Sequence, residues 1–210
     1  LMAHRGLTFS MSASNGNKAV LFSDNPYSLA DLPCDDAMMT KMREGIEASY
    51  ALAGKGKYPV PPGKELWPYQ VAALDYVTER GGGLLAQAPG LGKTSVSITF
   101  CNHFNAQRVL VIVPASLRIQ WGERIKEWTT LPNVKVSVML KPQDGIHPRA
   151  NYQIISYNAA TNPAIMRAIA RYKWDVLILD ESHNLKSIEA IRTRAILGNG
   201  KGMFKHGEEE

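Results

Sequence analysis

Apolar residues between positions 63 and 198 fall into two kinds of pattern. Five short apolar runs, Leu84–Ala86, Val109–Val113, Val134–Leu140, Tyr152–Ser156 and Val176–Leu179, have the length of strands. Between and before them lie segments of helical length. Tyr69–Arg80 carries Val71, Leu74 and Val77 at helical spacing, and Lys93–Phe104, Ser116–Trp128 and Pro163–Arg171 follow. Strands apolar on both faces, alternating with helices, predict an α/β fold whose parallel sheet is sandwiched by helices. Sheets of this kind place ligands at the carboxyl ends of their strands, so candidate chemistry is sought there.

The first sixty residues read differently. Residues 1–30 are rich in Ser, Asn and Gly without a long apolar period, and are expected to form a disordered, irregular extension. They lack the apolar centre of a secretory signal. Residues 31–62 predict a short helix followed by a linker. Asp31 or Asp35 would cap the helix, Met38, Met39, Met42 and Ile46 share one side, and Gly and Pro dominate from Gly54 to Glu65. The organisation expected is therefore extension, helix and linker, one lobe over 63–198, and a tail over 199–210.

Composition narrows the class without naming a function. Hydrophobic residues make up 45% of the 210 and charged residues 20%, which is globular. No apolar run approaches the ~20 residues that cross a bilayer, so no membrane partner is expected. Two cysteines, Cys34 and Cys101, cannot build a disulfide scaffold, and an intracellular setting follows as the default. That setting is cytoplasm, nucleoid or nucleus, or a host's cytoplasm for a viral chain. Net charge is +5, and residues 63–198 hold 16 Lys or Arg against 10 Asp or Glu. A basic lobe suits either an anionic partner or a merely soluble surface.

Two motifs carry chemistry. Directly after Leu84-Leu85-Ala86 comes Gln87-Ala88-Pro89-Gly90-Leu91-Gly92-Lys93-Thr94, and then a helical pattern. Strand, Gly-bearing turn and helix start aim backbone N–H groups and the positive end of the helix dipole at a phosphate. In this phosphate-binding loop, Pro89 to Thr94 would wrap the nucleotide. Lys93 would reach its terminal phosphates, and the Thr94 hydroxyl would ligate Mg²⁺. The second motif, Asp180-Glu181-Ser182-His183, ends the apolar run Val176–Leu179. Asp180 at a strand end can hold Mg²⁺, and Glu181 can polarise an attacking water. His183 is open between a relay to a partner lobe and a surface imidazole. ATP with Mg²⁺ is the ligand these residues imply.

From about Leu66 to Gly198 the chain resembles the superfamily-two helicases and translocases, and within them the Swi/Snf-type DNA-dependent ATPases. The resemblance rests on Leu66-Trp67-Pro68-Tyr69-Gln70, on Gly90 to Thr94, and on Leu110 to Leu117 with Gln120-Trp121 and Glu127-Trp128 after it. It rests also on Ile154 to Tyr157, on Asp180 to His183, and on Asn184-Leu185-Lys186. Gln87, Ala88 and Pro89 depart from the family's usual acidic pair and Met. The resemblance implies a RecA-like ATP-binding lobe in which Gln70 reads adenine. It implies that the segments around Ser116 and Tyr157 meet DNA, duplex and sequence-independent. It also implies a second RecA-like lobe, in the same or a neighbouring polypeptide, without which turnover would be slow. Another superfamily-two branch, restriction-type or RNA helicase, and a non-catalytic nucleotide or nucleic-acid binding module remain open alternatives.

The nucleic-acid reading has a local physical basis. Ser116 follows a strand and opens a helical segment, so it would cap that helix, either alone or while also facing a phosphate, and Arg118 lies just beyond. Trp121 and Trp128, seven residues apart on one helix face, read as core packing.

Overall fold

The computed structural model describes residues 7–12, 18–23, 50–85, 87, 90–185 and 191–197. The helix expected within residues 31–53 lies almost wholly outside them. Two strands, β1 (Leu7–Ser12) and β2 (Lys18–Ser23), pair antiparallel with Phe9 opposite Leu21. This ribbon stands where the sequence offered no element. Its signal was short-range: Leu7, Phe9 and Met11 alternate with Thr8, Ser10 and Ser12, and the intervening sequence contains the hairpin-favouring Asn15-Gly16.

Helix α1 spans Pro68–Arg80 and α2 spans Lys93–His103. Strand β3 (Val109–Val113) follows, then a 3-10 turn over Ala115–Leu117 that runs into α3 (Arg118–Trp128). Next come β4 (Val136–Val138), β5 (Tyr152–Ser156), α4 (Tyr157–Ala160), α5 (Pro163–Ala170), β6 (Val176–Leu179) and α6 (Ile191–Leu197). The sheet is parallel, in the order β4-β5-β3-β6. No helix among the described residues is long and apolar enough to cross a membrane.

Alternation along β3 explains its unbroken apolar run. Val109, Val111 and Val113 enter one core with Ile98, Trp121, Ile125, Tyr152 and Ile154, under α2 and α3. Leu110 and Ile112 enter the other with Ile155, Ile165, Ile169 and Ile196, under α4, α5 and α6. A strand buried on both faces has no polar side. Cys101 belongs to the first core, where burial pushes its thiol up to about 12, so it is an inert core residue. Asn162 caps α5 by accepting from the Ala164 N–H at 2.9 Å, with Pro163 in the first position.

Three expected boundaries change. Leu84–Ala86 forms no strand over its described residues: three glycines precede it and Leu84 is 63% exposed, so this short run has little burial to hold it. The predicted strand Val134–Leu140 shortens to β4, because the Leu140 and Lys141 amides both turn to the Asp144 carboxylate at 2.8 Å. The helix expected from Ser116 starts at Arg118.

The stretch expected as a linker is tied down. Lys55 and Gly56 donate their backbone N–H groups to Asp75 at 2.8 and 3.1 Å, and the Tyr58 hydroxyl adds a third bond at 2.6 Å. Asn102 Nδ2 reaches the Pro59 carbonyl, and Lys64 pairs with Glu127. Burial pushes the Asp75 carboxyl up, but Tyr58 and the two amides outweigh it and hold the group below its usual range. A depressed carboxyl contributes stability above its unfolded value and loses it as pH falls through the folded one. The clasp therefore persists at neutral pH and is lost only in acid, as pH falls below the ordinary carboxylate range and through the depressed folded value. Asp75→Ala is expected to loosen residues 50–58 by about 1–2 kcal/mol. Trypsin should then cut at Lys55 and Lys57 faster than in the parent chain at pH 7; equal rates would show that Asp75 does not hold the strap.

Candidate nucleotide site

The phosphate-binding loop is built on left-handed glycines. Gly90 and Gly92 have φ of 84° and 76°, and Gly92 immediately precedes α2 with no side chain capping the helix. That leaves the first turn of α2 without side-chain competition for a phosphate, since the opening N–H groups of a helix lack intrahelical partners. Lys93 Nζ donates to the Gln87 carbonyl at 2.8 Å and so folds back along the loop. Thr94 follows in the first turn, and Leu91 is 37% exposed. Ala88 and Pro89 lie outside the described residues.

Gln70 is 5% exposed and bridges two motifs. Its Nε2 donates to the Leu91 carbonyl at 3.1 Å, while its Oε1 accepts from the Trp67 N–H at 3.0 Å. The residue expected to read adenine is thus already tied to the loop that would hold the phosphates. A Cβ at Gly92 would come within 2.3 Å of Gln70 Nε2, whereas one at Gly90 would meet nothing within 4 Å.

The direction of α2 places its first turn at the sheet's carboxyl end. The helix finishes beside the start of β3, where the Ala106 N–H bonds the Cys101 carbonyl, and Asn102 donates to the Trp128 carbonyl at the far end of α3. Eleven residues of helix rise about 16 Å, matching a five-residue strand, so Lys93 and Thr94 lie toward the opposite end. The acidic motif emerges at that end from β6.

Asp180 is held at four points. Its N–H donates to the Ile112 carbonyl at 3.0 Å, and its own carbonyl accepts from the Tyr157 hydroxyl at 2.7 Å. Its Oδ2 accepts from Trp121 Nε1 at 2.7 Å, and its Oδ1 from the Glu181 N–H at 3.0 Å. Glu181 is exposed and sits at φ 52°, a strained value for a residue with a side chain. His183 lies in the 3-10 turn Ser182–Leu185, with its side chain outside the description. Each oxygen of Asp180 accepts one protein hydrogen bond, and a carboxylate oxygen offers about two lone-pair sites. Lone pairs therefore remain on both oxygens beside the protein's own bonds, as a cation-ligating carboxylate requires.

The residues expected to meet nucleic acid part company. Ser116 is exposed and caps nothing, because the chain enters α3 through a 3-10 turn. Arg118 donates Nε to the Ala115 carbonyl at 2.9 Å, and Nη1 to the Met139 and Leu140 carbonyls at 2.6 and 3.2 Å. It borders a cleft of about 310 Å³ lined also by Lys141, Ser156, Asn158 and Asn162. Tyr157 is 3% exposed and its hydroxyl serves Asp180, so its ring offers no face to a nucleic acid in this conformation. Trp121, read from sequence as packing, is packed and also bonds the acidic motif. The available signal was general: a buried indole N–H needs an acceptor.

A family model for the SNF2-related domain matches residues 4–198. The chain belongs to that family. It is the Swi/Snf-type branch of the superfamily-two helicases and ATPases that the motifs resembled. Among individual relatives, the chain is similar to the "DNA annealing helicase and endonuclease ZRANB3" of Mus musculus, at 30% identity over 139 residues. That match covers 63% of this chain and 13% of the mouse protein. "Helicase SWR1" of Candida albicans is 30% identical over 150 residues, covering 63% and 9%. The "SWI/SNF-related matrix-associated actin-dependent regulator of chromatin subfamily A-like protein 1" of Xenopus tropicalis is 30% identical over 140 residues, covering 64% and 14%. The chain thus spans a small part of each relative's length.

The loop contact yields a comparison of two glycines. Gly90→Ala introduces left-handed strain alone, of about 1–2 kcal/mol, and is expected to lower Tm by a few degrees. Gly92→Ala adds displacement of Gln70 and should cost clearly more in a thermal melt. Equal losses would mean that the Gln70–loop contact is not made.

Proposed function

We propose that this lobe binds ATP with Mg²⁺ as part of a Swi/Snf-type DNA-dependent ATPase that translocates on duplex DNA. The observation that carries the reading is an uncapped helix start, reached through two left-handed glycines, at the sheet end where Asp180 and Glu181 emerge. In this reading Lys93 exchanges the Gln87 carbonyl for phosphate oxygens, and Gln70 holds the loop while its amide faces the base. Thr94 and Asp180 would hold Mg²⁺, which when bound neutralises charge developing on the phosphates. Glu181, exposed beside them, would accept a proton from the attacking water. His183 stays a candidate relay to a second RecA-like lobe.

Titration with a fluorescent ATP analogue separates these roles. Lys93→Ala is expected to abolish binding, because Lys93 contacts ground-state phosphates. Glu181→Gln should bind as the parent does and lose turnover, because its work falls in the transition state. A polypeptide of residues 1–210 by itself supplies no arginine from a second lobe, a group worth about 10³–10⁵ in rate. Its turnover should therefore lie far below ~10 per second, a median enzyme value. Equal binding losses in the two variants would show the roles misassigned.

The DNA part of the reading rests on the cleft beside Arg118. Its Nε and Nη1 are committed to carbonyls, so Nη2 and the neighbouring Lys141 are the groups left to meet phosphate. Binding through such contacts is sequence-independent and salt-sensitive, with a log–log slope of about −0.9 per phosphate on duplex DNA. Lys141→Ala is expected to reduce the slope by about one for unrelated sequences while leaving Tm unchanged. Arg118→Ala should lower both slope and Tm, since it also releases three carbonyls. A slope unchanged in both variants places the DNA track elsewhere.

A further inference from the structure

We infer that Trp121 is a positioning residue for Asp180: its indole N–H sets the orientation of the carboxylate that would hold Mg²⁺. The inference rests on the nucleotide reading above, and its own ground is the geometry. Trp121 is 3% exposed and belongs to the core beneath α2 and α3. The indole nitrogen is a donor only, and buried in an apolar core it has one use. It makes that bond to Asp180 Oδ2 at 2.7 Å, across 59 residues of sequence.

The other bonds to Asp180 do different work. Ile112 and Tyr157 hold its peptide N–H and carbonyl, which fixes the backbone and leaves the side chain to be aimed. The Glu181 amide reaches Oδ1 from the adjacent residue. Among the described residues, only Trp121 reaches the carboxylate from another element. With one donor on each oxygen, lone pairs remain for a cation, so these bonds orient the group without filling its coordination sites. Groups one shell out from a metal typically change its affinity by about 10–100-fold when lost.

Phenylalanine at 121 would fill most of the same space without the N–H, which separates aiming from packing. The test measures binding of a fluorescent ATP analogue to the full 210-residue chain as Mg²⁺ is varied, and again in EDTA. Trp121→Phe is expected to need about tenfold more Mg²⁺ for half-maximal binding, with its affinity in EDTA unchanged. Asp180→Asn should lose the Mg²⁺ dependence altogether. A purely structural role for Trp121 would weaken binding alike with and without the metal. In parallel, one of the four tryptophan indole N–H resonances of the parent chain should move in Asp180→Asn. If Trp121→Phe keeps the parental Mg²⁺ requirement while Asp180→Asn loses it, the inference fails and the nucleotide reading stands. If the parent binds no nucleotide, or Asp180→Asn keeps its full Mg²⁺ dependence, both fail together. Should Trp121→Phe not fold, the indole spectrum decides, and four unmoved resonances overturn the inference.

Discussion

Strand β3 is paired in parallel on both sides, and the rest of the lobe hangs from those two ladders. Val109 stands opposite Tyr152 on one side and Val176 on the other, so three strands begin nearly level. Asp175 reinforces that start, accepting the Gln107 and Arg108 amides on one carboxylate oxygen. Level starts mean that strand length alone decides what emerges at the carboxyl end. β6 ends with Leu179 opposite Ile112, and the next amide still reaches the Ile112 carbonyl. Asp180 therefore leaves the sheet at a height set by register. A slip of one residue would exchange every side chain between the two cores, which both faces being apolar would tolerate poorly only where sizes differ. The four points holding Asp180 add the specificity that the apolar strands lack.

Several polar groups at this end of the sheet bond one another, although the buried Gln87 Oε1 has no partner among the described residues. Lys93 takes a loop carbonyl, Gln70 takes another, and Arg118 takes three carbonyls at the end of β4 and the turn before α3. Donors and acceptors left unmet away from water are costly, and this cross-bonding meets several of them. It has a mechanical corollary. Arg118 and Trp121 are one turn apart on α3, so the cleft beside β4 and the donor to Asp180 move as one rigid element.

Much of this architecture was legible from the chain. β3, β5 and β6 match their apolar runs residue for residue; β3 and β5 are buried at every position, which leaves no ambiguity of period, while β6 is only partly buried, with Leu177 exposed. Helices α1, α2 and α5 fall within a residue of expectation, where Pro68, Gly92 and Pro163 mark their starts. The acidic pair at the end of β6 was equally visible. What was hidden is long-range. Nothing near Trp121 or Tyr157 announces a bond to Asp180, and nothing in the Gly- and Pro-rich strap announces that Asp75 will clasp it. Ser116 misled because capping is a local rule, and a 3-10 turn intervened. Leu84–Ala86 misled because three apolar residues suffice for a pattern but not for burial.

The contrast within the acidic pair is the last consequence of these constraints. Asp180 still belongs to the ladder, and its side chain is held from two directions. Glu181 cannot continue the strand: at φ 52° its backbone turns left-handed and the chain passes into a 3-10 turn. A residue with a side chain pays about 1–2 kcal/mol for that conformation, and the bond from its own N–H to Asp180 Oδ1 helps offset it. The same turn carries Glu181 out to solvent while leaving Asp180 behind. Adjacent carboxylates thereby stand in different settings, Asp180 bonded within the fold and Glu181 exposed at the surface. For the roles proposed above, a cation ligand needs the held setting and a group that acts on water needs the exposed one, and one strained residue is enough to separate them.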